Sequence, residues 1–292
     1  MTIKTIMTWV TAALLGLAIL SPMANAAGGQ DSPSRQKWTF SGPFGRYDNN
    51  QLQRGFQVYQ NVCMACHSLS GMSFRNLSEK GGPEFSPEQI KELAAKWPLP
   101  VKDGPNDKGE MFERPARAAD RFPSPFANVE AAKVANGGAA PPDFTVLAKA
   151  RTYSRGFPMF LVDIFTQYQE QGPDYIYALI ADGYLKDGEK PPIPVEDGLH
   201  YNKYMPGNKI AMLAPLSDDQ VAYTDGSPLT KQQYAKDVTA FMMWAAEPKL
   251  EERKQLGFKV MLFLIVFAGL LYFTKKKVWA DVKREGDSAH AH

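Results

Sequence analysis

Apolar residues follow three different patterns along the chain. Near the start, Val10 to Leu20 is a short, nearly continuous apolar stretch behind Lys4. Ser21-Pro22 interrupts it, and Ala24-Asn25-Ala26 follows with the small-x-small spacing of a cleavage site. The stretch is shorter than the ~20 residues a bilayer span needs. Residues 1–26 are therefore expected to be a secretory signal, with the mature chain beginning at Ala27. Near the other end, Leu256 to Thr274 is almost wholly apolar, and no charge falls between Val260 and Phe273. As a helix it reaches ~28 Å, about the hydrocarbon thickness. It has no polar face, so a membrane span over 256–274 is expected.

Between these ends the pattern is helical. Asp48 is a cap candidate with Gln51 at the third position, and Leu52, Phe56, Tyr59 and Cys63 then recur on one helical face. Far downstream, Thr230-Lys231-Gln232-Gln233 is a capping pattern, and Tyr234, Val238, Phe241, Met242 and Ala245 repeat the period after it. Ser86 and Pro87 open a shorter helix that Trp97-Pro98 ends. Gly172-Pro173-Asp174 precede another, running through Ala181 and stopped at Gly183. Pro98 to Asp143 is rich in turn residues but keeps Phe and Met, which predicts an ordered insertion. No internal repeat is evident. The expected architecture is all-α, with long loop insertions and one C-terminal membrane helix.

Charge sets orientation and excludes one class of function. The whole chain carries +2, but residues 27–255 hold 26 basic and 28 acidic residues, a net −2. A domain of that charge lacks the basic surface that nucleic acid requires. Lys275, Lys276, Lys277, Lys283 and Arg284 follow the apolar run, whereas Glu251-Glu252-Arg253-Lys254 before it is neutral. The positive-inside rule then leaves 275–292 in the cytoplasm and 27–255 on the periplasmic side of the plasma membrane. The signal sequence independently predicts the same sidedness. Acidic clusters at Glu79–Glu92 and Asp103–Glu113 read as solvated surface in preference to a docking face.

The candidate chemistry sits at the only two cysteines. Cys63-Met64-Ala65-Cys66-His67 is the Cys-x-x-Cys-His signature of c-type haem attachment. The two thiols add to the haem vinyl groups, and the adjacent histidine meets the iron as proximal ligand. A zinc site would need four ligands, and no second cysteine pair exists. A thioredoxin-like pair should open a helix, whereas this motif closes one. A simple disulfide gives His67 no role. The sixth iron ligand must come from a Pro-rich segment wrapping the other haem face. Met212, Met205 and His200 are the candidates, and Met212 leads because of its setting in Ile210-Ala211-Met212-Leu213-Ala214-Pro215.

Several runs together resemble the cytochrome c1 family, the haem subunit of the cytochrome bc1 complex. They include Arg114-Pro115, Phe122-Pro123-Ser124-Pro125-Phe126-Ala127-Asn128, Asn136-Gly137-Gly138-Ala139, Pro141-Pro142-Asp143 and Lys149-Ala150-Arg151. The strongest is Ala235-Lys236-Asp237-Val238 leading to Phe241 and Trp244-Ala245-Ala246-Glu247-Pro248, directly before the apolar run. The resemblance implies one covalent haem c on Cys63 and Cys66, with His67 and Met212 as iron ligands and Arg151 as a haem-propionate partner. Leu213, where the family has a Met-Ala-Pro-like run, and Met205, where it has an aromatic residue before Pro-Gly, depart from the pattern. The implied role is electron transfer from a Rieske iron–sulfur protein, beside cytochrome b, to a cytochrome c, with membrane lipid around the anchor and no substrate chemistry of its own. A free tethered shuttle and a peroxidase-like haem enzyme are the rivals. The first needs a flexible linker and the second an open sixth iron site.

Overall fold

The computed structural model describes residues 31–280 apart from Ser154, Phe157 and Gln167, so the expected signal and residues 281–292 lie outside the described residues. Two crossing helices organise the head domain. Helix α1 (Asn49–Val58) is capped by Asp48, whose carboxylate accepts from the Gln51 amide at 3.1 Å. It closes in one widened π turn, Tyr59–Cys63, which delivers the cysteine motif. The later partner helix, Lys231–Ala246, is capped by Thr230, whose hydroxyl accepts from the Gln233 amide at 3.3 Å.

The crossing point is Gly55. A Cβ there would stand 2.1 Å from the Asp237 carbonyl oxygen and 2.7 Å from the Phe241 Cβ. On the buried side Leu52, Phe56 and Tyr59 meet Val238, Phe241 and Trp244, with the Phe56 and Phe241 rings 5.6 Å apart. At the edge of the crossing, fully buried Asp237 accepts from Gln51 Nε2 at 3.1 Å, Arg54 Nε at 2.9 Å and Gln233 Nε2 at 2.9 Å. A buried carboxylate is tolerated only when partnered in this way. Arg54 also reaches Asp225 at 2.7 Å, tying the preceding loop to α1. Because the obstacle at Gly55 is backbone, Gly55→Ala should cost about 3 kcal/mol, the upper part of the usual overpacking range. A melt of the haem-loaded protein should fall by roughly 6–12 °C. An unchanged melting temperature would contradict this crossing.

The remaining elements enclose that pair. Helix α2 (Pro87–Ala95) begins in a reciprocal capping box between Ser86 and Gln89. The insertion that follows is ordered as expected. It holds an antiparallel hairpin, β1 (Val101–Asp103) with β2 (Phe112–Arg114), and helix α3 (Val129–Ala135). Arg114 closes it by pairing with Asp103 and Asp120. Helices α4 (Leu147–Ala150), α5 (Met159–Thr166) and α6 (Gln171–Ala181) come next, and α4 and α6 pack on the Lys231–Ala246 helix, α7. Gly172-Pro173-Asp174 form the first turn of α6 instead of preceding it. Proline is accepted there because the opening amides of a helix have no intrahelical acceptor. A second small ladder pairs β3 (His200–Tyr201) with β4 (Lys209–Ile210). Both ladders are too short to show alternation in sequence, and the described fold is mainly helical.

Helix α8 (Leu250–Val278) is long and apolar enough to cross a membrane. It is longer than the expected 256–274 because Leu250–Gln255 continue the helix above the apolar run and Lys275–Val278 below it. Only Glu247-Pro248-Lys249 separate it from α7. Lys254 Nζ donates to the carbonyls of Phe40 and Gly42, each at 2.6 Å, and Glu251 accepts from the Tyr47 amide at 3.0 Å. The head is thus fastened to the top of α8 by the 38–47 segment, whose Trp38, Phe40 and Tyr47 lie in the core.

Candidate functional site

The widened turn after α1 closes on itself: the amides of Cys66 and His67 donate to the Cys63 carbonyl at 3.1 and 2.9 Å. Both thiols are free, with Cys63 half-buried and Cys66 exposed. Burial, followed by the charge of Cys66, pushes the Cys63 thiol up to about 12. His67 is held from its far side. Its Nδ1 lies 2.8 Å from the Pro142 carbonyl, and its ring sits 4.4 Å from the Phe144 ring. A carbonyl can only accept, so Nδ1 carries the proton and Nε2 keeps its lone pair for a metal. Burial lowers the imidazole pKa, against the Pro142 hydrogen bond and the Asp143 charge, which raise it. The ring is therefore kept neutral, the state that ligates.

Asp143 secures the loop after the motif. Its carboxylate accepts from Ser68 Oγ at 2.7 Å, Ser70 N at 2.8 Å, Ser70 Oγ at 2.7 Å and Thr145 N at 2.7 Å. Burial alone would raise this carboxyl, but the hydrogen bonds outweigh it and hold it at about 2. A depressed carboxyl contributes stability that is complete above its unfolded value and lost as pH falls through the folded one. The clamp should therefore weaken between about pH 4 and pH 2. Asp143→Asn should cost ~1–2 kcal/mol at neutral pH, after discounting for partial exposure, and flatten the stability profile across that acid window. Denaturant unfolding at several pH values checks this; a variant with the wild-type acid slope would contradict it.

The candidates for the opposite side occupy one hairpin. Met205 lies in its turn, before Pro206-Gly207, and Met212 lies two residues past β4. Both are half-buried and pack against the same core as Cys63 and Met64. Their surroundings differ. The Met205 sulfur accepts from the Tyr175 hydroxyl at 3.6 Å. At Met212 the backbone is held instead, by the Tyr184 hydroxyl on its carbonyl at 2.9 Å, and no hydrogen bond engages its sulfur among the described residues. His200 is a β3 ladder residue opposite Ile210, paired there through its backbone. Arg151 caps the end of α4, is exposed, and pairs with no described carboxylate; its charge acts on Tyr175. Sequence reading missed the parts played by Pro142, Asp143, Phe144 and Tyr184. For the first two the only signal was the Pro141-Pro142-Asp143 run itself.

Two thiols one turn apart, an imidazole with Nε2 in reserve and a thioether held by its backbone are a donor set that fits haem. A chain with such a site on a helical head fastened to an apolar helix is a c-type cytochrome of the anchored kind. Residues 38–282 match the model of the Cytochrome C1 family. The chain is 51% identical over 284 residues to the cytochrome c1 of Blastochloris viridis, across 97% of this chain and 99% of that one. It is 44% identical over 274 residues to the cytochrome c1 of Rhodospirillum rubrum, across 89% and 92%. It is also 58% identical over 258 residues to the cytochrome b/c1 of Bradyrhizobium diazoefficiens, which is 88% of this chain but only 37% of that longer protein. The chain thus spans little more than a third of that relative's length. It belongs to the cytochrome c1 family, and its cofactor is haem c.

Proposed function

We propose that this chain is the haem-carrying subunit of a quinol–cytochrome c oxidoreductase. In this reading it takes single electrons from a Rieske iron–sulfur protein, beside cytochrome b, and passes them to a cytochrome c. Haem c supplies a one-electron iron couple when bound. Cys63 and Cys66 would hold it covalently, and His67 through Nε2 and Met212 through its sulfur would ligate the iron. A thioether ligand favours reduced iron and so raises the potential, which suits a late step in an electron-transfer chain. Residues 27–255 form the periplasmic head, 256–274 the span and 275–292 the cytoplasmic tail. Lys275, Lys276 and Lys277 at the C-terminal end of α8 support that sidedness.

The observation that carries the proposal is the His67 setting, with Nδ1 committed to Pro142 and the ring against Phe144. The fixed join between head and α8 favours a subunit of a complex over a swinging shuttle. Purification in mild detergent tests the reading. Recovery with a di-haem cytochrome b and a Rieske protein is expected; recovery of the haem-loaded chain alone would contradict it.

Arg151 is the proposed propionate partner, because an exposed guanidinium with no carboxylate partner among the described residues is available to an anion. Its charge disfavours the more positive oxidised state. Arg151→Gln should leave the haem attached and lower its potential on the order of tens of millivolts, the modest size reflecting solvent screening. A redox titration showing no change, or a rise, would contradict the assignment.

A further inference from the structure

Helix α5 is polar inside and apolar outside. Its one charged residue, Asp163, is buried at 7% exposure, ion-paired with Arg155 and reached by Gln171 Nε2 at 3.4 Å. Leu161, Val162, Ile164 and Phe165 face outward, Phe165 at 85% exposure. At ~100° per residue, the outward apolar arc covers about half the helix circumference. A helix of a water-soluble surface has the opposite polarity.

The position of α5 indicates what covers it. Phe160, Asp163 and Ile164 share a groove with Arg253 of α8, three residues before Leu256, where the apolar run begins. A second outlying apolar residue lies beside the start of the apolar run. Phe44, 74% exposed, sets its ring edge-on to Phe258 of α8 at 5.8 Å, in a groove also lined by Arg46 and Lys259. The Lys254 clamp fixes the segment leading into Pro43–Phe44 to α8, and the groove shared with Arg253 places α5 beside the same helix.

We propose that α5 and the Pro43–Phe44 loop form an interfacial foot, by which the head enters the headgroup–acyl boundary of the bilayer beside its own span. This rests on the reading of α8 as a membrane helix. A depth of ~5–10 Å is usual for interfacial helices. Arg253 lies only ~4.5 Å of helical rise above Leu256, so α5 sits within that layer. Arg46 and Lys259, in the groove beside Phe44, lie where lipid phosphates would be, which adds attraction to anionic headgroups, whereas Arg253 is already paired with Glu247. Continuity with the span argues for lipid rather than a polypeptide as the occupant.

The test is photocrosslinking of the full, haem-loaded chain in its native membrane. A photoreactive phenylalanine analogue is placed singly at Phe165, at Val266 within the span, and at exposed Val134 on α3. Phospholipid adducts at Phe165 are expected on the order of tenfold above those at Val134 and comparable with those at Val266. Adducts at Phe165 to another polypeptide, or none above Val134, overturn the foot while Val266 still reports a span. Absence of lipid adducts at Val266 overturns the span and the foot together.

Discussion

Met212→Leu is expected to leave the haem attached while its potential falls by hundreds of millivolts, on the order of the span that axial ligands control. Leucine keeps the volume and apolar character, so the fold should survive. The Tyr184 hydrogen bond goes to the Met212 backbone and is unaffected by the side chain. What disappears is a soft sulfur that stabilises reduced iron. The oxidised protein should also lose the weak sulfur-to-iron charge-transfer band, and quinol-driven turnover should stop. Met205→Leu should differ sharply. Its sulfur is engaged by Tyr175 at 3.6 Å, so the change removes a weak hydrogen bond inside a turn and leaves band and potential near wild type. A paired redox titration separates the two. Collapse in Met205→Leu with Met212→Leu unaffected would reverse the ligand assignment.

The second large effect is loss of the cofactor. Cys63→Ala with Cys66→Ala is expected to abolish stable haem attachment, because no other cysteine exists to hold it. Met64, Met205, Ile210 and Met212 are only half-buried against the core, and without haem their open sides would stay uncovered. The double variant should be readily digested by protease and show no haem-stained band after denaturing electrophoresis. A protease-resistant, haem-stained chain would contradict covalent attachment through this motif.

How much of this was legible depended on whether one residue or a periodicity carried the signal. The α1 and α7 faces were readable because Leu52, Phe56 and Tyr59, and Tyr234, Val238 and Phe241, repeat the helical period, and all are buried. That the two helices cross at Gly55 was not readable, since a glycine in a helix does not say which backbone approaches it. The haem motif was legible from five consecutive residues. The Pro142 and Asp143 contacts to His67, Ser68 and Ser70 link positions about 75 residues apart, and no local pattern encodes such pairing. The tyrosines that distinguish the settings of Met205 and Met212, Tyr175 and Tyr184, are likewise about 30 residues away in sequence. Helix α5 lacked an alternating face because almost all of its residues are apolar, so periodicity could not find it.

The most direct test of the central claim is time-resolved oxidation and reduction in membranes containing the complex. Quinol is mixed with oxidised membranes in the presence of acceptor cytochrome c, and the haem of this chain is followed by its own absorption band. The account predicts that this haem is reduced first and that the acceptor is reduced at the rate at which this haem is reoxidised, with both phases lost in Met212→Leu. Reduction of the acceptor while this haem stays oxidised would contradict it.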